Sequence, residues 1–141
     1  MAREKAARVE APGAFVLAAD TVVALGSRIM PKATDVEDVR ACLALLHGRR
    51  HHVLTAVTLV GPDHRATHRV CNSVVAFSRL APAQLAAYAA CGEGVGKAGG
   101  YAIQGRAAGF ARFLSGSYSG VVGLPLFEVA QLLRGRGYPV P

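Results

Sequence analysis

A carboxylate and two lysines carry the first chemical signal in this chain. Asp20 stands in Ala18-Ala19-Asp20-Thr21-Val22-Val23, after the apolar run Phe15 to Ala19. Such a run reads as a buried strand that delivers the acid at its end, where rigid scaffold holds it for work as a base or a magnesium ligand. Lys32 follows twelve residues later in Met30-Pro31-Lys32-Ala33. A second block, Gly96-Lys97-Ala98-Gly99-Gly100-Tyr101-Ala102-Ile103-Gln104-Gly105, adds another lysine, a glutamine and four glycines. Small neighbours let backbone N–H groups approach phosphate oxygens while the ammonium neutralises charge. Gln104 offers a donor and an acceptor, which suits reading a base edge. A carboxylate among lysines fits a polyanionic substrate that needs a base or a metal, and this is phosphate chemistry.

Each residue also has a plainer reading. Asp20 could start a hairpin as an Asx-turn residue, Lys32 could be a solvated loop lysine, and Gln104 could anchor its loop. Ser115-Gly116-Ser117-Tyr118-Ser119-Gly120 reads equally as an anion-binding turn or a plain connection. The glycine block is neither a Walker A loop nor a dinucleotide fingerprint. Among the five histidines, His64 and His68 flank a turn, and His51 and His52 alternate across a strand. No cysteine pair joins them in a zinc pattern. No Gly-x-Ser-x-Gly elbow marks a serine hydrolase.

The elements that position these residues follow from pattern. Residues 2–10 read as a helix stopped by Ala11-Pro12-Gly13, and Thr21 to Met30 as a hairpin around Gly26-Ser27. Asp35 to Leu46 reads as a helix capped by Thr34 or Asp35, with Val39, Cys42, Leu43 and Leu46 on one apolar face, ended by His47-Gly48. His52 to Val60 and Thr67 to Phe77 form a long antiparallel hairpin about Gly61-Pro62-Asp63. Pro82 to Cys91 is a helix, Phe110 to Leu114 a short strand and Leu126 to Leu133 a terminal helix. Mixed elements without βαβ repetition predict an α/β fold with a central mixed β-sheet flanked by helices.

Bulk properties narrow the class. The chain has 141 residues, 52% of them hydrophobic and 18% charged, enough for one folded domain with a real core. The start, Met1 to Arg8, lacks the apolar stretch of a signal peptide, and the Ala-rich runs are too broken by charge to span a bilayer. Cys42, Cys71 and Cys91 are odd in number and far apart, so they read as reduced thiols in a cytoplasmic protein. The net charge of +7 calls for an anionic partner. The arginines form no stripe and there is no tryptophan platform, so a nucleotide fits that partner better than a nucleic acid.

Together the blocks resemble the Maf family of nucleoside triphosphate pyrophosphatases. The matching segments are Ala18 to Val23, Lys32 with Asp35, Leu46 through Thr55, Val75-Ala76-Phe77, Lys97 through Gly105 and Gly116 through Leu126, collinear over nearly the whole chain. The resemblance implies a fold like that of inosine-triphosphate pyrophosphatase. It also implies hydrolysis of a nucleoside triphosphate to the monophosphate and pyrophosphate, with a divalent cation, magnesium or manganese, as cofactor. By the same resemblance Asp20 matches the catalytic acid and metal position, and Lys5, Lys32 and Lys97 match the phosphate-facing lysines. Thr21 and Gln104 match positions linked to base choice, in the branch that prefers dTTP and UTP. The implied partner is the triphosphate alone, with no membrane and no nucleic acid, and many members pair as homodimers. Three departures stand out. Gly96 replaces a common Asp, Lys32 sits in Pro-Lys-Ala instead of Gly-Lys-Pro, and the family's opening Ser-x-Ser-Pro-Arg-Arg loop has no counterpart. The expectation is therefore one Maf-like domain over 1–141, incomplete at its N-terminus, lacking the first strand and the phosphate loop. The alternative reading is a catalytically impaired nucleotide-binding module.

Overall fold

The structure, a computed structural model, describes residues 1–7 and 13–141. The described helix α1 covers Ala2–Ala7. The predicted stop at Ala11-Pro12 lies outside the described residues. Five strands follow, β1 Val16–Leu25, β2 Arg28–Met30, β3 Arg50–Val60, β4 Ala66–Phe77 and β5 Ala111–Ser115. Helices α2 (Val36–Leu46), α3 (Pro82–Ala90), α4 (Tyr118–Val122) and α5 (Leu126–Gly135) complete the chain.

The strands form one sheet in the order β2-β1-β3-β4-β5. The α/β class holds, but every pairing among the described strands is antiparallel where a mixed sheet was expected. The reason is the connections. Tight turns join β1 to β2 and β3 to β4, and the α2 crossover carries the chain past β1 to its other side.

The long strands read as their composition predicts. In β3 the side chains of His51, Val53, Thr55, Val57 and Leu59 are buried on one face. That face carries the core. Val23, Val53, Val75 and Phe77 pack with Val39, Cys42, Leu43 and Leu46 of α2, the four residues the helical period selects. Val57 and Leu59 pack with Val129 and Leu132 of α5. Asp35 caps α2 by accepting from the Asp38 amide at 2.8 Å, and the Thr34 amide donates back to the Asp38 carboxylate. The Thr34 hydroxyl, which also donates to the Asp38 carboxylate, and then the Thr34 amide hold Asp38 below the ordinary aspartate range.

Two expectations changed. Asp20 does not end a strand. β1 runs on through Thr21, Val22 and Val23, whose β-branched side chains favour continuing, so Asp20 lies mid-strand opposite Ala56. The serine-rich segment after β5 is more than a plain connection, because a short helix starts within it. Ser117 caps α4 by accepting from the Gly120 amide at 2.9 Å, and its own amide donates to Ser73 Oγ.

Candidate active site

The position of Asp20 gains its meaning from where β2 stops. β2 pairs with β1 only across Val23–Leu25, so from Val16 to Val22 the outer edge of β1 has no strand beside it among the described residues. A cavity of about 200 Å³ wraps this edge. Alternation sends Asp20 to one face of β1 and Thr21 and Val23 to the other, and all three line the cavity because it bends around the strand.

Lys5 reaches it from α1. Its Nζ donates to Asp20 Oδ1 at 3.0 Å and to the carbonyl of Ala19 at 3.1 Å. The ammonium thus covers part of the open edge and orients a carboxylate that is only 9% exposed. Asp20 Oδ2 accepts from no described side chain.

Lys32 and Lys97 arrive together. Residues 31–33 and 96–99 run antiparallel, joined by Ala33 N to Lys97 O, Gly96 N to Ala33 O and Gly99 N to Pro31 O. This lacing sets the two lysines on one cavity wall. Gly100 makes it fit. Its φ is 76°, and an added Cβ would lie 3.1 Å from Cys42 Cβ and 3.2 Å from Val39 Cα. The predicted cradle of backbone amides does not form. The amides of Gly96, Lys97, Gly99 and Gly100 all donate to backbone carbonyls, so the loop presents an ammonium and not a nest.

Thr21 has a determined polarity. Thr55 Oγ1 donates to the Gly120 carbonyl at 2.7 Å, so in the 2.9 Å contact between Thr21 and Thr55 the proton comes from Thr21. Toward the cavity Thr21 can only accept.

Gln104 lies elsewhere. It is exposed and lines a separate cavity with Tyr118 and Arg112. The structure brings Asp20, Lys5, Lys32, Lys97 and Thr21 together and leaves Gln104 out. The reason is a strap that holds the Gln104 segment outward. Tyr88 donates to Glu93 Oε1 at 2.8 Å, the Arg106 amide donates to Oε2 at 3.0 Å, and the Ala102 amide donates to the Tyr88 hydroxyl at 3.1 Å. Burial works to raise the Glu93 carboxyl, but the bonds from Arg106 and Tyr88 outweigh it and hold it below the ordinary glutamate range.

The sequence reading missed Tyr101, Val121 and Val122 as cavity walls. Tyr101 is fixed from behind, its hydroxyl 2.6 Å from Nε2 of buried His51. The apolar residue directly after a glycine pair was the available signal for it.

The arrangement can bind a chain of phosphates. Below ~300 Å³ a cavity is small for a whole drug-sized ligand, so a phosphate chain would enter and any base would lie toward the open side. Three ammonium groups supply charge, and one oriented carboxylate supplies a base or metal ligand. Among the described residues no group of three or more His, Cys, Asp or Glu side chains forms a metal cage. One carboxylate still fits a magnesium-type ion that takes its remaining ligands from substrate phosphates and water.

The chain is an α/β protein with a lysine-ringed carboxylate at a sheet edge, and comparison gives its family. The model of the Maf-like protein family matches residues 1–136, and the chain belongs to that family. It is 60% identical over 124 residues to a dTTP/UTP pyrophosphatase of Granulibacter bethesdensis, covering 88% of this chain and 58% of that protein. It is 60% identical over 127 residues to the protein of that name from Paramagnetospirillum magneticum, covering 90% and 67%. The Sphingopyxis alaskensis protein of that name is 55% identical over 141 residues, covering 99% and 74%. The chain thus spans about three fifths to three quarters of the length of these relatives.

Proposed function

We propose that this chain carries the site of a nucleoside triphosphate pyrophosphatase acting on dTTP and UTP. The observation that carries the reading is the meeting of Asp20, Lys5, Lys32 and Lys97 in one cavity. The names of the relatives support the substrate class. Lys32 and Lys97 would hold the phosphate chain as point charges along one wall. Lys5 would keep the Asp20 carboxylate turned inward. Asp20 would take a proton from the attacking water, whose oxygen ends on the nucleoside monophosphate while pyrophosphate leaves with the bridging oxygen. A magnesium or manganese ion held by Asp20 and the phosphates would neutralise charge on the phosphate oxygens. Thr21, as an acceptor, suits the ring N–H of uracil or thymine. Gln104, outside this cavity, would act on base choice only if its segment moved. The medium is an aqueous compartment, for which cytoplasm is our reading. No described helix is long and apolar enough to cross a membrane.

The test is turnover of dTTP, UTP, CTP, ATP and GTP with detection of released pyrophosphate and added magnesium or manganese. We expect dTTP and UTP ahead, and a loss of at least ~100-fold in Asp20→Asn, the scale of a lost general base. Near-normal turnover by a folded Asp20→Asn protein would overturn the assignment of Asp20. Saturable nucleotide binding with no turnover would make the chain a binding module.

A further inference from the structure

A second basic cavity opens at the far end of β3. Its volume is about 480 Å³, within the range of small-molecule sites. Arg49, Arg79, Arg112 and His47 line it, with Ala44 and Leu45 on an apolar wall, and no carboxylate among the described residues lines it. The three arginines are exposed. The ion pairs among the described residues are Lys5–Asp20 and Arg136–Asp63, so none of the three is neutralised that way. Nor do their guanidiniums hydrogen-bond any described residue, as those of Arg69, Arg134 and Arg136 do.

The arginines come from three chain segments and are held by construction. The α2–β3 connection is laced to the exit of β4. Gly48 N donates to Ser78 O, Phe77 N to Arg49 O, and Leu80 N to His47 Nδ1 at 3.1 Å. The last bond leaves the neutral imidazole's proton on Nε2, a donor. Gly48 makes the turn between α2 and β3 at φ 69°, a left-handed backbone that a side chain would strain. Arg112 arrives by a bulge. Ala76 pairs with Phe113 and Phe77 with Ala111, so the ladder skips Arg112 and re-aims it.

Like charges gathered in one cavity repel unless an anion joins them. The nearest built-in negative end is the C-terminus of α2, whose last turn has no basic residue. A helix end carries about half a charge, which leaves most of three guanidiniums unmatched. From this we infer a second anion site, for a chain of two linked phosphates, either free pyrophosphate or the diphosphate of a nucleotide. Three planar forks match several phosphate oxygens at once, whereas a single carboxylate would occupy one fork. The site is separate from the Asp20 cavity. Arg49 stands seven residues from Ala56, the partner of Asp20, or about 23 Å at ~3.3 Å per residue.

The experiment is a nitrogen-15 NMR titration of the full chain with inorganic pyrophosphate and, separately, with UDP. The amides of Gly48, Arg49, Arg79 and Arg112 should shift and saturate, in the wild type and equally in Lys97→Ala. Arg79→Ala should weaken this binding at least ~10-fold, and Arg79→Lys, which keeps the charge and loses the fork, should weaken it too. Tighter binding of UDP assigns the site to a nucleotide, and equal binding assigns it to the bare phosphate chain. Absence of saturation, equal shifts with sodium sulfate at matched ionic strength, or unchanged affinity in Arg79→Ala would each overturn the inference.

Discussion

Lowering the pH from 7.5 to 5 should remove about 2 kcal/mol of folding stability through one residue, His51. Its ring is 1% exposed and packs edge-on against Phe77 and Tyr101, with centroids 5.0 and 5.4 Å away. Nε2 meets the Tyr101 hydroxyl, while Nδ1 has no partner among the described residues. An imidazolium here would be a buried charge held by one phenol. Burial first, then the charge of His52, pushes the His51 pKa down to about 4. Its unfolded value is about 6.5. Between the two values the unfolded chain binds a proton that the native one refuses, so stability falls as pH drops through this window. The full difference is about 3.5 kcal/mol at ~1.4 kcal/mol per unit, and about 2 kcal/mol of it is gone by pH 5. That is a large part of a typical ~5–15 kcal/mol. The assay is urea unfolding of the wild type and His51→Phe at both pH values. The variant starts lower, because Tyr101 loses its partner at a cost of ~1–3 kcal/mol, but between the two pH values it should lose about 2 kcal/mol less than the wild type. His68, also lowered by burial and then by Arg3, is present in both proteins and cancels in the comparison. The lowered carboxylates Asp38, Asp63 and Glu93 lose their contributions only nearer pH 4. Equal wild-type stability at both pH values, or the same loss in His51→Phe, would refute the reasoning.

Two further substitutions probe the site's frame. Thr21→Val keeps the shape but removes the acceptor facing the cavity, so the ratio of kcat/KM for UTP over GTP should fall about tenfold, the scale of a hydrogen-bonded discrimination. An unchanged ratio would take Thr21 out of base reading. Gly100→Ala forces a left-handed alanine against Cys42 and Val39 and should cost about 2 kcal/mol or more in urea unfolding, with KM for the triphosphate rising as the Lys97 loop shifts.

What the sequence discloses here is what local physics controls. The buried face of α2 follows from a 3.6-residue period, and the β1–β2 turn from Gly26-Ser27. What it hides is tertiary. Tyr118-Ser119-Gly120-Val121-Val122 has the composition of a strand or turn, and α4 forms there because Ser117 caps it and Ser73 holds Ser117. Nothing in Glu4-Lys5-Ala6 says that Lys5 meets Asp20, since that contact requires α1 to dock on β1. Arg112 reads as an ordinary strand residue until the pairing of its neighbours shows the bulge.

The same distinction explains why the meeting of Lys32 and Lys97 was legible and the outward turn of Gln104 was not. Lys32 and Lys97 are fixed by backbone lacing between short segments rich in Pro and Gly, and such segments advertise themselves in composition. Gln104 depends on which way its turn faces, and that is settled by one carboxylate, Glu93, gripping the Arg106 amide and the Tyr88 hydroxyl. The side chain that presents Gln104 is thus eleven residues away from it in sequence, and the strap it makes is closed by Tyr88 on another element. A single acid within the glycine-rich stretch Gly92-Glu93-Gly94 carries no local signal for that role. The site's charged wall is therefore a property of local sequence, while its apparent reach toward a base is a property of packing.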